Sequence, residues 1–274
     1  MTSYRPHTVA IIQARMGSSR LPGKVLLDLA GQPMLRRVVE RTRRAKTIHQ
    51  VIIATTTEPD DDPLADYCER QDYPLYRGSL HDVLDRYYQA ARWSGTETIV
   101  RITADCPLID PEVIDRTVEA FRGAPLPYLQ CLNPGLPGSY VFCANRLPPP
   151  WGRTYPIGLD TEVCNFQDLQ TVWREAQLPH QREHVMPYFY DHQERFKILL
   201  VHHEKDLGNL RLTVDTAEDL ELLRQIYARL PGRDDFSWLE VVSLLEREPE
   251  LLALNAQVQH KHYLQVDERR QAGK

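Results

Sequence analysis

Short runs rich in β-branched residues alternate with amphipathic helical periods through the first half of the chain. Val9-Ala-Ile-Ile12, Gln50-Val-Ile-Ile-Ala-Thr-Thr56 and the run over residues 98–104 read as buried strands, because branched side chains pack well on a pleated surface. Between them, Met34, Leu35, Val38, Val39 and Thr42 fall on one helical face, with arginines on the other. Leu80, Val83, Leu84, Tyr87, Tyr88 and Ala91 follow the i, i+3, i+4, i+7 rule of an amphipathic helix. Residues 60–71 read as a short helix, 74–78 as a short strand, and 111–121 as a helix with Pro111 in its first turn. Repeated strand–helix units imply an α/β fold: a mostly parallel sheet with helices on both faces. Ligands of such sheets sit at the carboxyl ends of the strands.

At the end of the first strand the apolar run stops abruptly. Arg15, Gly17, Ser18, Ser19, Arg20, Gly23 and Lys24 follow, and no acid occurs between Arg15 and Lys24. Hydroxyls, backbone N–H groups and three cations at one sheet edge suit a polyphosphate. Arginine binds it bidentately, lysine as a point charge, and the glycines let the backbone approach. This is not a Walker loop, because five residues separate Gly17 from Gly23 and Val25 follows Lys24. The dinucleotide pattern G-x-G-x-x-G is also absent. A solvated turn with surface cations is the competing reading.

Arg15-Met-Gly-Ser-Ser-Arg-Leu-Pro-Gly-Lys24, with Leu27, Gly31 and Pro33-Met34 after it, resembles the signature loop of the sugar cytidylyltransferases, the CMP-KDO and CMP-acylneuraminate synthetases. Within that family the likeness is greatest to the branch called spore coat polysaccharide biosynthesis protein F. Arg77-Gly-Ser-Leu-His-Asp-Val-Leu-Asp-Arg-Tyr87, Arg101-Ile-Thr-Ala-Asp-Cys-Pro-Leu108 and Leu212-Thr-Val-Asp-Thr-Ala-Glu-Asp-Leu220 resemble it in the same order, so the match spans residues 8–227. The resemblance implies a Rossmann-like nucleotidyltransferase sheet of the GT-A type. It implies transfer of CMP from CTP to a sugar acid or related acceptor, with release of pyrophosphate, in the synthesis of surface polysaccharide or glycoconjugate. Carried over by residue, it places Gln13, Ala14, Arg15, Gly17, Ser18, Arg20, Lys24, Arg77 and Ala104 at the nucleotide. Gln13 and Ala14 sit where they can read a pyrimidine edge. Relatives are often homodimers, and residues 124–202 are the expected interface.

Two acids stand where the chemistry needs them. Asp105 ends an apolar strand at the edge that carries the basic loop. Magnesium prefers a few carboxylates plus phosphate oxygens, so Asp105 either anchors Mg²⁺ or caps the helix that follows Pro107. Asp215 closes an expected strand over residues 210–214. Thr216-Ala-Glu-Asp219 forms a capping box for the next helix, which leaves Asp215 free for another task. In the resembling family an acid here shares the metal with the one matching Asp105. Arg15, Lys24, Asp105 and Asp215 are thus the expected catalytic set, the last two as metal ligands. Two carboxylates from distant strands beside a triphosphate suit phosphoryl transfer. The competing reading of Asp215 is a solvated or capping acid.

The acceptor half resembles the same branch through Tyr155-Pro-Ile-Gly-Leu-Asp-Thr-Glu-Val163 and Gln181-Arg-Glu-His-Val185. Tyr155, Asp160, Glu162, Arg182 and His184 are the expected acceptor contacts. Asp160 and Glu162 share one face of a strand expected at 159–164, and Arg182 and His184 are expected to hold an acceptor anion. The competing reading is an exposed strand face and a helix N-terminus. Pro148-Pro-Pro-Trp-Gly152 departs from the family pattern as an insertion.

Other features point elsewhere or nowhere. Asp60-Asp61-Asp62 satisfies a D-x-D glycosyltransferase metal motif but reads better as acid at a helix N-terminus. The histidines at 180, 184, 202 and 203 have no partners at zinc-finger spacing. Cys106 reads as a packed small residue rather than a nucleophile. The five cysteines are odd in number and widely spaced, which argues for a reducing cytoplasm and against a disulfide framework. A net charge of −5 excludes a global nucleic-acid footprint. No signal-peptide core or membrane-length apolar run is present, so no membrane insertion is expected.

The expected organisation is a nucleotidyltransferase domain over residues 1–232, with 124–202 as its acceptor and dimerisation segment. A helical extension and tail over 233–274 follow, the tail mobile from about residue 257. Further expected elements are helices at 166–176, 183–192 and 238–246 and a strand at 196–202. Two alternatives remain beside the cytidylyltransferase. One is a metal-dependent glycosyltransferase that uses Asp60–62 and releases no pyrophosphate. The other is a non-catalytic nucleotide-binding protein.

Overall fold

The computed structural model describes residues 7–230, 232–259 and 264. One eight-stranded sheet organises the chain. Its strands are β1 (Thr8–Gln13), β4 (Gln50–Thr56), β5 (Leu75–Gly78), β6 (Thr98–Thr103), β7 (Leu129–Leu132), β8 (Phe142–Ala144), β9 (Glu162–Asn165) and β10 (Ile198–Val201), in the order β5-β4-β1-β6-β9-β8-β10-β7. β2 (Asp28–Leu29) and β3 (Gln32–Pro33) form a separate hairpin. β5, β4, β1 and β6 pair in parallel. β9 runs against both β6 and β8, β10 runs parallel to β8, and β7 opposes β10. All but β9 and β7 therefore point the same way.

Successive residues of a strand face opposite sides, and both sides here are dry. Ala10 and Ile12 of β1 join one core with Leu35, Val38 and Val39 of helix α1 (Met34–Arg43), Leu64 of α2 (Asp62–Arg70) and Val113 of α4 (Pro111–Phe121). Val9 and Ile11 join a second core with Val83, Leu84 and Tyr87 of α3 (Val83–Ser94), Leu169 of α5 (Phe166–Glu175) and Phe189 of α7 (Pro187–Asp191). Each fully buried Val or Ile contributes ~1.5–3 kcal/mol, so a strand buried on both faces reads as an unbroken apolar run. A third core joins α8 (Ala217–Arg229) to α9 (Trp238–Arg247) and the β2–β3 hairpin.

Most expected elements lie where the sequence places them, and three differ. The strand expected at 159–164 is β9, which begins at Glu162, so Asp160 lies in the loop before it and shares no strand face with Glu162. The helix expected at 183–192 is two short ones, α6 (Pro179–His184) and α7, separated at Val185, whose φ is 73°. A continuous helix would place Pro187 in its interior, where it removes an N–H and clashes with the preceding turn. The strand expected at 210–214 is an extended segment with a single parallel bridge, Ile157 to Arg211. It pairs with the 157–159 loop rather than with a sheet strand: Leu212 N–H donates to the Ile157 carbonyl at 2.7 Å. Gly158 permits this approach. Its φ is 108°, and a Cβ there would lie 2.6 Å from the Leu212 backbone.

The C-terminal segment is tied into the sheet layers. The Arg41 guanidinium, buried in α1, donates to the carbonyls of Ile109, Asp234 and Phe236, and Trp238 N–H donates to the Asp110 carboxylate. Arg37 is also buried, so two of the arginines on the other face of α1 are internal ties. Apart from residues 257–259 and 264, the expected tail lies outside the described residues. No helix among the described residues is long and apolar enough to cross a membrane.

Candidate active site

The basic loop leaves β1 and closes on itself. The Met16 carbonyl accepts from the N–H groups of Ser18 and Gly23 at 2.9 and 2.8 Å, and Ser18 Oγ accepts from Leu21 N–H. Gly23 has a φ of 69°, a left-handed conformation that suits glycine and turns Lys24 back towards the strand ends. The loop's entry is pinned from below by Asp61. Asp61 Oδ1 accepts from Met16 N–H at 2.6 Å, and Oδ2 accepts from Thr55 Oγ1, Thr56 N–H and Thr56 Oγ1. The Asp61 carboxylate is buried and fully used, and none of Asp60, Asp61 and Asp62 lines the cavity described below. Asp62 instead pairs with Arg77 at 2.7 Å.

Asp105 and Asp215 are brought together by backbone. The Asp105 carbonyl accepts from Val214 N–H at 2.8 Å and Thr213 Oγ1 at 2.9 Å, which joins the end of β6 to the 210–214 segment. Their carboxylates share one ammonium: Lys24 Nζ lies 3.0 Å from Asp105 Oδ2 and 2.9 Å from Asp215 Oδ1. Asp215 Oδ2 also meets Arg20 at 2.9 Å and Arg211 at 2.8 Å. The helix start is served separately by the Thr216–Asp219 capping box, as expected. The cap of α4 is Asp110, so Asp105 is not a helix cap. Burial alone would raise the Asp215 carboxyl, but Lys24, Arg211 and Arg20 outweigh it and hold it well below the usual carboxylate range. Burial lowers Lys24, yet the two carboxylates overcome it and leave the ammonium harder to deprotonate than usual.

These groups line a cavity of about 730 Å³ at the carboxyl ends of β1 and β6. Gln13, Ala14, Thr103 and Ala104 form one wall, and Arg15, Ser18, Arg20 and Lys24 another. Arg101, Arg146 and Arg153, which the sequence did not mark, also line it, and Arg101 Nη2 donates to Gln13 Oε1 at 3.4 Å. Glu162, buried in β9, meets Arg101 Nη1 at 2.5 Å and Arg146 Nη2 at 4.0 Å, while Asp160 meets Arg153 at 2.7 Å and Arg146 at 3.5 Å. Burial disfavours the Arg101 charge, but Glu162 more than restores it. The buried Nε of Arg101 makes no hydrogen bond, and that of Arg146 is the atom that lies 3.5 Å from Asp160 Oδ2. An arginine inside the apolar run Ile-Val-Arg-Ile was the available signal, since a buried cation requires a partner.

Gln13, Ala14, Arg15, Ser18, Arg20, Lys24 and Ala104 line the cavity, as do Asp105, Asp215, Asp160 and His184. Gly17 lies in the loop without lining it. Four expected contacts are elsewhere. Arg77 donates to the carbonyls of Thr56 and Glu58 and stitches β5 to β4. Tyr155 is buried against His203 and Trp238. Glu162 lies beneath the two arginines rather than in the cavity. Arg182 is held by Asp82 through Nε at 3.0 and 3.1 Å and by the Trp173 carbonyl at 2.7 Å, so its charge serves the packing of α6 on α3. Burial and then Asp105 push the Cys106 thiol well up, which makes it a poor nucleophile.

Residues 9–240 match the cytidylyltransferase family. The chain belongs to that family. Among individual relatives, this cytidylyltransferase is 34% identical over 265 residues to an uncharacterised protein of Methanocaldococcus jannaschii, covering 95% of this chain and 99% of the other. It is 32% identical over 247 residues to the spore coat polysaccharide biosynthesis protein SpsF of Bacillus subtilis, covering 88% and 94%. A solved cytidylyltransferase from Leptospira borgpetersenii superposes with a TM-score of 0.80 at 31% identity, covering 94% of this chain and 99% of that one. The Rossmann-like nucleotidyltransferase fold implied by the signature loop is therefore the fold of this cytidylyltransferase.

The donor set at Asp105 and Asp215 bears on a metal. Both carboxylates already enclose one cation, the Lys24 ammonium. Among the described residues no three histidine, cysteine or acidic side chains converge into a metal-ligating group. Two carboxylates fit Mg²⁺ that takes its remaining ligands from phosphate oxygens and water.

Proposed function

We propose that this cytidylyltransferase transfers CMP from CTP to an acceptor that carries an anionic group, a sugar acid, in the assembly of a surface polysaccharide or glycoconjugate. The observation that carries this reading is the convergence of the basic loop, Asp105 and Asp215 in one cavity that Arg101, Arg146 and Arg153 also line. Arg15 and Arg20 would bind the triphosphate, and Gln13, Ala14 and Ala104 would border the base. Asp105 and Asp215 would hold Mg²⁺, which when bound neutralises charge on the phosphates. The acceptor oxygen attacks the α-phosphorus, the α–β phosphoanhydride bond breaks, and pyrophosphate leaves with the bonding electrons. The proton of a hydroxyl acceptor passes to solvent. Positioning and electrostatics suffice, with no covalent enzyme intermediate.

The acceptor class rests on charge. Arg15, Arg20, Lys24, Arg101, Arg146 and Arg153 line the cavity against Asp105, Asp160, Glu183 and Asp215, so its lining carries an excess of positive charge. An acceptor carboxylate would be drawn to that excess of positive charge. The test is pyrophosphate release from CTP and Mg²⁺ with a panel of 2-keto sugar acids and their neutral alcohol analogues. Release with the acids alone, and a CMP-linked product by mass, is expected. Equal release with neutral analogues would remove that charge from acceptor recognition.

A further inference from the structure

The Lys24 ammonium has three N–H donors and three acceptors: Asp105 Oδ2 at 3.0 Å, Asp215 Oδ1 at 2.9 Å and the Val214 carbonyl at 2.8 Å. Its hydrogen-bonding capacity is spent, and the residue is buried at the bottom of the cavity it lines. In this arrangement it has no donor left for a phosphate. It also stands between the two carboxylates, where a metal ligated by both would have to sit. One side of the acid pair is fixed independently of Lys24. Asp215 Oδ2 is held by Arg20 and Arg211, and the backbone of Asp105 is tied to residues 213 and 214. What can move is the four-carbon stem of Lys24.

We infer that Lys24 is a resident counter-cation, occupying the space between Asp105 and Asp215 until a metal-bearing triphosphate displaces it. This deepens the reading above and rests on it. A divalent ion ligated by Asp105 Oδ2 and Asp215 Oδ1, the oxygens that Lys24 holds, would lie at contact distance from the ammonium, and the two cations would repel each other. Metal alone offers Lys24 no new partner and so binds poorly. Metal carried by a triphosphate brings phosphate oxygens that accept the released ammonium, so Lys24 leaves the acids and joins Arg15 and Arg20 at the phosphates in one exchange. The same exchange keeps the two acids neutralised when no substrate is bound. It also makes the charge on the metal site depend on the substrate being present.

The test is binding of Mn²⁺, read by the loss of its free electron paramagnetic resonance signal, with and without the non-cleavable analogue α,β-methylene-CTP. If the ammonium vacates the acid pair in one molecule in ten or fewer, removing it tightens binding of the bare metal by about tenfold or more. Lys24→Met is expected to show that gain without nucleotide. Lys24→Arg, which keeps the charge, is expected to bind bare Mn²⁺ as weakly as the wild type. The wild type is expected to bind tightly only with the analogue. Bare-metal affinity in Lys24→Met equal to or weaker than wild type would overturn the inference. Should Lys24→Met not fold, the wild type decides: tight Asp105-dependent binding of bare Mn²⁺ overturns the inference, and binding that requires the analogue supports it. Mn²⁺ binding that Asp105→Asn leaves unchanged even with the analogue would instead refute the metal reading itself.

Discussion

Replacing Asp61 by alanine isolates the support beneath the basic loop. The carboxylate accepts from Met16 N–H, Thr56 N–H and the hydroxyls of Thr55 and Thr56. The hydroxyls can rotate to other acceptors, but the two backbone donors cannot. Thr56 is fully buried and Met16 partly so. An unsatisfied buried donor costs ~1–3 kcal/mol, so the pair together costs about 3 kcal/mol once solvent reaches Met16. In a chain of this size each kcal/mol moves the melting temperature by ~2–4 °C, so the variant should melt about 6–12 °C lower. Freed at Met16, the loop also loses its hold on Arg15, and nucleotide affinity should fall with it. Asp61→Asn keeps one acceptor and turns an amide N–H₂ towards the remaining donors, so its loss should be intermediate. Circular dichroism melting with nucleotide titration checks both. An Asp61→Ala protein with unchanged melting and unchanged nucleotide affinity would refute this reasoning.

Three further outcomes are expected. Asp105→Asn should lower turnover at least about a hundredfold while the melting curve stays cooperative, since it removes charge at the reacting phosphates; steady-state pyrophosphate release measures it. Arg182→Ala should cost about 1–2 kcal/mol by urea unfolding, because its pair with Asp82 is part-exposed, and should leave the acceptor KM unchanged. The Asp215 carboxyl is depressed on folding, so its contribution to stability is present above the unfolded value of ~3.9 and is lost as pH falls through the lower folded value. The stability gap between wild type and Asp215→Asn should therefore be widest above about pH 5 and shrink in acid. A gap that does not change with pH would contradict the assignment.

Much of the fold was legible because its signals are local. The unbroken apolar run of β1 marks a strand dry on both faces, and Thr216 with Asp219 marks the start of α8. The basic loop and the two acids were legible because strand–helix alternation puts them at one sheet edge. What stayed hidden depends on partners far along the chain. Arg182 looked like an anion contact until Asp82, a hundred positions away, was seen to hold it. Three adjacent acids at 60–62 look alike in sequence, yet only Asp61 is buried, because β4 delivers Thr55 and Thr56 to it. The 210–214 segment has a strand's composition but borders a loop, so its partners are Ile157 and Asp105 rather than a sheet neighbour. Arg146 and Arg153 sit in an irregular stretch with no period to read.

Thermal shift with CTP, UTP, ATP, GTP and dTTP, each with and without Mg²⁺, shows whether the cavity binds a cytidine triphosphate with a metal. A rise in melting temperature selective for CTP and dependent on Mg²⁺ is expected. A flat response to all five, or stabilisation only by a nucleoside diphosphate or nucleotide sugar, would contradict it.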